Sequence, residues 1–139
     1  MRGDDPATLE CRFPGTMESV AEARSWLRGL LVKFEVPECA AENAVLVLSE
    51  LATNSARHSC SAGPQGSYRV RLRRGVSCLR LEVTDAGGIS EPRMRRNGTP
   101  DPWAESGNGL LLVEAVTTHW WTRSTAHGRT VGAELALNP

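Results

Sequence analysis

Glu50, Asn54, Arg57 and His58 fall within a run that holds no helix breaker, the last three lying four, seven and eight positions after the first. On a helix such spacing projects all of them from one face. A carboxylate, an amide oxygen, a guanidinium and an imidazole gathered there can build a site for Mg²⁺ and phosphate. The amide oxygen of Asn54 is a hard donor of the kind Mg²⁺ accepts. Glu50 can take the proton of an attacking hydroxyl. The same residues also suit a solvated helix face. Asp85 is a second candidate, since it ends an alternating apolar run and enters Ala86-Gly87-Gly88. Its carboxylate can accept a hydrogen bond from a ligand amino group, or it can simply start a turn. Gly107-Asn108-Gly109 stands directly before the apolar run 110–113. Glycines opening a helix let a phosphate approach free N–H groups at the positive end of the dipole, although a plain helix-start loop reads the same way.

The elements that must position these residues follow from periodicity. Leu9, Cys11 and Phe13 alternate with polar neighbours, as in a half-buried strand, until Pro14-Gly15 breaks the pattern. Thr16 or Ser19 can cap a helix over about 17–33, whose apolar stripe is Val20, Ala23, Leu27, Leu30 and Leu31. Pro37 and Glu38 suit the first turn of a second helix reaching about His58. Its stripe is Ala44, Val47, Leu48, Leu51 and Ala52. Residues 63–66 read as a loop. Tyr68, Val70 and Leu72, then Leu79, Leu81 and Val83, alternate on either side of Arg74-Gly75 as an antiparallel hairpin. The Gly-, Pro- and charge-rich stretch 87–109 has little periodicity, and a loop of that length in a compact domain is usually functional. A short helix over 110–116 and two strands near 120–124 and 130–137, turning at His127-Gly128, complete the order. Such a list packs most economically as an α+β two-layer sandwich, a mixed, mostly antiparallel sheet with helices on one face.

At 139 residues the chain is expected to form one domain, 1–139, with its core over about 10–137. Sixteen basic residues balance sixteen acidic ones. That balance argues against a nucleic-acid or anionic-membrane partner, which would want a basic excess. Arg69, Arg71, Arg73 and Arg74 read as the solvent face of the hairpin. No apolar run approaches the roughly 20 residues of a membrane span, and no signal-peptide pattern opens the chain, so a cytoplasmic location is expected. Cys11, Cys39, Cys60 and Cys78 contain no CxxC pair and are expected as small buried hydrophobes.

Each motif is weak alone, but together, in this order and on these elements, they resemble the nucleotide site of the GHKL ATPase superfamily of gyrase, related heat-shock chaperones and histidine kinases. The segment from Glu50 to Asn54 resembles the N box, Asp85-Ala86-Gly87-Gly88 the first glycine box, and Gly107-Asn108-Gly109 the second. Gly128-Arg129-Thr130-Val131 is similar to the strand that brings a threonine to the adenine. A short chain of this kind is most similar to anti-sigma factors with serine kinase activity, and the run 105–113 particularly resembles their actinobacterial branch. The resemblance implies the histidine kinase-like (Bergerat-type) fold and the cofactors ATP and Mg²⁺. It implies that Glu50 is the general base, that Asn54 holds Mg²⁺ and that Asp85 binds the adenine amino group, with Gly87 letting the base approach. Arg57 and His58 then flank the nucleotide, Gly107, Asn108, Gly109 and Leu110 wrap the phosphates, Thr130 joins Asp85 at the adenine, and about 89–106 is the lid. The implied partners are a sigma factor or an anti-sigma factor antagonist, bound by a homodimer. Two departures stand out. Ile89 occupies the place of a glycine in the first box, and no arginine adjoins the glycines of the second. Because phosphoryl transfer depends on positioning and electrostatics, the second departure admits an alternative, a non-catalytic nucleotide-responsive module that sequesters a regulator. Arg57 or a lid arginine (Arg93, Arg95, Arg96) can supply the missing charge.

Overall fold

A computed structural model describes residues 7–58, 63–86, 109–125 and 128–138. Their order is β1 (Ala7–Gly15), α1 (Met17–Lys33), α2 (Glu38–His58), β2 (Gly63–Arg74), β3 (Cys78–Asp85), α3 (Gly109–Val116), β4 (His119–Thr125) and β5 (Gly128–Ala136). The strands form one sheet in the order β1-β2-β3-β5-β4. All four pairings are antiparallel, so no parallel pair occurs among the described strands. The helices lie against one face, with α2 touching β1, β2, β3 and β5 and α1 packing on α2 and β1. This is the expected two-layer α+β sandwich.

Alternation decides which face each strand residue takes. On β3, Leu79, Leu81, Val83 and Asp85 are buried while their neighbours are half-buried. On β5 the inward set is Arg129, Val131, Ala133 and Leu135. Tyr68, Val70 and Leu72 of β2 join them under Leu27, Leu31, Ala44, Val47, Leu48 and Leu51 of the helices. The opposite face carries Arg69, Arg71, Arg80, Glu82 and Glu134, and its charges are interleaved. Glu10 lies 3.9 Å from Arg69, and Arg80 meets Glu134 at 2.7 Å. Trp121 lies on this face over Gly132, where an added Cβ would enter its ring, and its ring stacks on His119 and lies beneath Arg80. By register Arg12, Arg73, Arg123 and Glu10 share this face, so its arginines outnumber its glutamates six to three.

Thr16 caps α1 by accepting from the backbone N–H of Ser19 at 3.3 Å. The helix ends in a Schellman motif. The Val36 N–H donates to the Leu31 carbonyl and the Glu35 N–H to that of Val32, both at 3.0 Å. Glu35 holds the left-handed position at φ 55°. The connection to α2 is therefore tight, and the two helices lie side by side.

The cysteines depart from expectation. Cys39 is exposed and Cys11 and Cys78 are half-buried, all three as free thiols. Of these, Cys11 packs against the core from its margin, and Cys60 lies outside the described residues.

Candidate functional site

The second half of α2 crosses the end of β3, and there the structure gathers polar groups in an otherwise apolar layer. Asn54, Ser55, Asp85 and Arg129 are 7%, 3%, 7% and 2% exposed. Burial of this kind is costly unless the groups find partners. Ser55 Oγ donates to Asp85 Oδ2 at 2.5 Å. The Arg129 guanidinium lies 3.6 Å from the same oxygen. Asp85 and Arg129 are direct cross-strand partners in the β3–β5 ladder, so backbone register aims both side chains at α2. One residue earlier, Gly128 has φ 146°, and a Cβ there would strike the Asp85 carbonyl oxygen. Only glycine permits that turn to close so tightly on β3.

Asn54, the residue before Ser55 on α2, is buried and makes no hydrogen bond with this cluster among the described residues. Glu50, one turn earlier, is half-buried, and Arg57, nearly one turn later, is exposed. Along the face expected of α2, burial is therefore greatest at Asn54 and less at Glu50 and Arg57 on either side of it. Among the described residues no cluster of three His, Cys, Asp or Glu could hold a metal. This composition does not suit a caged ion but suits Mg²⁺, which keeps waters and takes one or two protein oxygens plus substrate phosphates. The Asn54 amide oxygen has the chemistry for such a role.

The structure does not bring Thr130 to Asp85. Thr130 lies opposite Thr84 in the ladder, and the two hydroxyls share a 2.7 Å hydrogen bond on the face away from the helices. The β5 residue on Asp85's side is Arg129. Neither Arg129 nor Ser55 was singled out from sequence, yet both carry a signal. Arg129 falls in the inward parity of Val131, Ala133 and Leu135, and Ser55 extends the buried stripe of Leu48, Leu51 and Ala52. Gly87, Gly107, Asn108 and the segment 89–106 expected as a lid, with Arg93, Arg95 and Arg96, lie outside the described residues. Gly109 and Leu110 open α3, and His58 closes α2, with side chains outside the description. No helix among the described residues is long and apolar enough to cross a membrane.

Comparison with known proteins agrees with the fold. No curated protein matches the chain. Among solved structures, it is similar to the RsbU and RsbW domains of Rv1364c from Mycobacterium tuberculosis, at 19% identity with a TM-score of 0.70. The similarity covers 94% of this chain and 32% of that one, so the chain spans about a third of the length of its structural neighbour. At that identity the likeness speaks for the fold. A family model described as the histidine kinase-like ATPase domain matches residues 13–134, from near the end of β1 into β5. With nearly every described element inside that span, and the polar corner of α2, β3 and β5 with them, the chain belongs to the histidine kinase-like ATPase domain family.

Proposed function

We propose that the chain binds ATP with Mg²⁺ at the corner of α2 and β3 and acts as an anti-sigma factor-like regulator of the actinobacterial type. In this reading residues 1–139 are one cytoplasmic domain that works as a homodimer. It phosphorylates a serine of an anti-sigma factor antagonist and alternates between that protein and a sigma factor. The observation that supports it most is the buried Asp85 carboxylate at the end of β3, held by Ser55 of α2 one residue from the buried Asn54. Asp85 accepts the adenine amino group there. Asn54 supplies an oxygen to Mg²⁺, which neutralises phosphate charge. Glu50 removes the proton of the attacking serine, and Arg57 and His58 stand at the phosphate end. Gly87, Gly107, Asn108, Gly109 and Leu110 give the backbone its close approach to base and phosphates.

The test is a thermal-unfolding titration with ATP and Mg²⁺. At a hundred times the Kd, bound nucleotide adds about 2.7 kcal/mol, a rise on the order of 10 °C for a domain of this size. Asp85→Asn is expected to abolish the shift. Glu50→Ala is expected to keep it while stopping phosphoserine formation on the antagonist. An unshifted wild type at millimolar ATP overturns nucleotide binding. Wild-type transfer by Glu50→Ala overturns the assigned base. The absence of an arginine beside Gly107 and Gly109 favours a second reading, a nucleotide-responsive module that sequesters its partner without catalysis. Stoichiometric phosphoserine on the antagonist would eliminate it.

A further inference from the structure

No described helix covers the face of the sheet opposite α1 and α2, and register sorts its side chains into rows that cross the strands. One row joins Glu10, Arg71, Glu82, Gly132 and Trp121, and the next joins Arg73, Arg80, Glu134 and His119. All three glutamates of the face stand in these two rows, each with an arginine within 4.0 Å. Two of them also lie low. The Glu82 and Glu134 side chains are 15% and 26% exposed, against 53% for Arg71 and 41% for Arg80. The third row is different. It runs Arg12, Arg69, Thr84, Thr130, Arg123 from β1 across to β4 and holds no acid. Arg12 donates to Ser67 Oγ at 3.1 Å, and Arg69 lies 3.9 Å from Glu10 in the neighbouring row. The two threonine hydroxyls bond each other. Arg123 is exposed and makes no ion pair or hydrogen bond among the described residues.

The spacing of the row fits one kind of ligand. Neighbouring strands lie about 4.8 Å apart, so Arg69 and Arg123, three strand spacings from each other, are separated by about 14 Å. An extended chain rises about 3.3 Å per residue and alternates its faces, which puts residues i and i+4 on one side about 13 Å apart. Laid across the strands, a segment with carboxylates at those two positions meets Arg12 and Arg69 with one and Arg123 with the other. Residue i+2 then faces the hydroxyls of Thr84 and Thr130. Arg123 borders an open hollow of about 300 Å³ beside Trp121 and His119, so a carboxylate can reach it from solvent. We infer that this arginine row docks an extended acidic segment of a partner protein. Charge complementarity names the occupant. A nucleic acid matches less well, because the row is uncharged in its middle and the adjoining row carries Glu10 and Glu82. A second copy meeting the chain through the same row sets arginine against arginine. The inference rests on the outer face of the sheet alone and stands whether or not nucleotide fills the polar corner.

Fluorescence anisotropy of labelled probes, titrated with the full chain at low salt, tests it. The probe is an end-blocked seven-residue peptide of glycine and serine with aspartates at its second and sixth positions. A control peptide carries them at the second and fifth, which an extended chain sends to opposite faces. A second control is a short oligothymidylate. Wild type is expected to bind the probe at least about threefold more tightly than either control. Arg12→Glu with Arg123→Glu, both at exposed positions, should raise the Kd at least about tenfold while leaving the urea midpoint in place. The same double variant should gain affinity for a peptide with lysines where the probe has aspartates. Arg24→Glu, on α1, should change nothing. Absence of probe binding at millimolar chain overturns the inference, as does equal affinity for the two aspartate peptides. Tighter binding of oligothymidylate overturns it in favour of a nucleic acid. A wild-type dimer that the double variant dissociates overturns it in favour of a second copy.

Discussion

Asp85 keeps its place through two neighbours of different kinds, a hydroxyl from α2 and a guanidinium from β5. With both side chains only 2–3% exposed, removing one takes from the other its buried counter-charge, which costs about 3–5 kcal/mol. Arg129→Met is therefore expected to destabilise by about that amount. Combining it with Asp85→Asn should cost less than the two single losses together, with a coupling of about 1–3 kcal/mol in urea unfolding. Additive losses would mean that the two groups do not sense each other. Asp85 was legible in the sequence because it ends an alternating strand at a glycine turn. Thr130 was placed beside it by motif position, although the alternation of Val131, Ala133 and Leu135 assigns Thr130 to the other face. Parity along the strand decided that point. The Arg129 partnership was harder to read, because register between β3 and β5, strands with α3 and β4 between them in the sequence, is set by tertiary packing.

The helices were legible nearly to their ends, because caps and punctuation carry their own chemistry. Thr16 caps α1 as one of two candidates, and Pro37-Glu38 opens α2 as expected. The sheet was less so. Residues 63–66, which read as a loop by composition, belong to β2, where Gly63 pairs with Gly15 across an irregularity in register. Strand pairing overrides local preference there. The turn between α1 and α2 bears a prediction of its own. Glu35 occupies the C′ position of the Schellman motif at φ 55°, where a side chain costs roughly 1–2 kcal/mol that glycine avoids. Part of that gain is offset by the greater unfolded-state freedom of glycine. Glu35→Gly is expected to stabilise by about 0.5–1 kcal/mol in denaturant unfolding. A loss of stability would show that the Glu35 side chain contributes more than its backbone strain removes.

For the molecule as a whole, the two layers are bolted together by Tyr68, the chain's one tyrosine. It is fully buried between Phe13 and the helices, with its hydroxyl 2.7 Å from that of Ser19 on α1. Burial pushes its phenol above the ordinary 10.0. The Ser19 hydrogen bond works the other way, and Glu22 adds to the rise. The folded protein thus holds a proton that the unfolded chain has already released, so this contribution is whole below pH 10.0 and is lost as pH climbs through the folded value. Urea midpoints on either side of that pH should fall more steeply for wild type than for Tyr68→Phe. At neutral pH the substitution should cost about 0.5–1.5 kcal/mol. Equal slopes would mean that the phenol titrates as freely folded as unfolded.

The strand order has a mechanical consequence. β1, β2 and β3 zip together from the first part of the chain and β4 with β5 from the last, and the ladder from Cys78–Ala136 to Asp85–Arg129 is the seam between these halves. The polar corner sits at one end of that seam. An occupant gripping Asp85 on one side and β5 on the other is a strut across it, so filling the corner and keeping the two halves zipped are a single equilibrium.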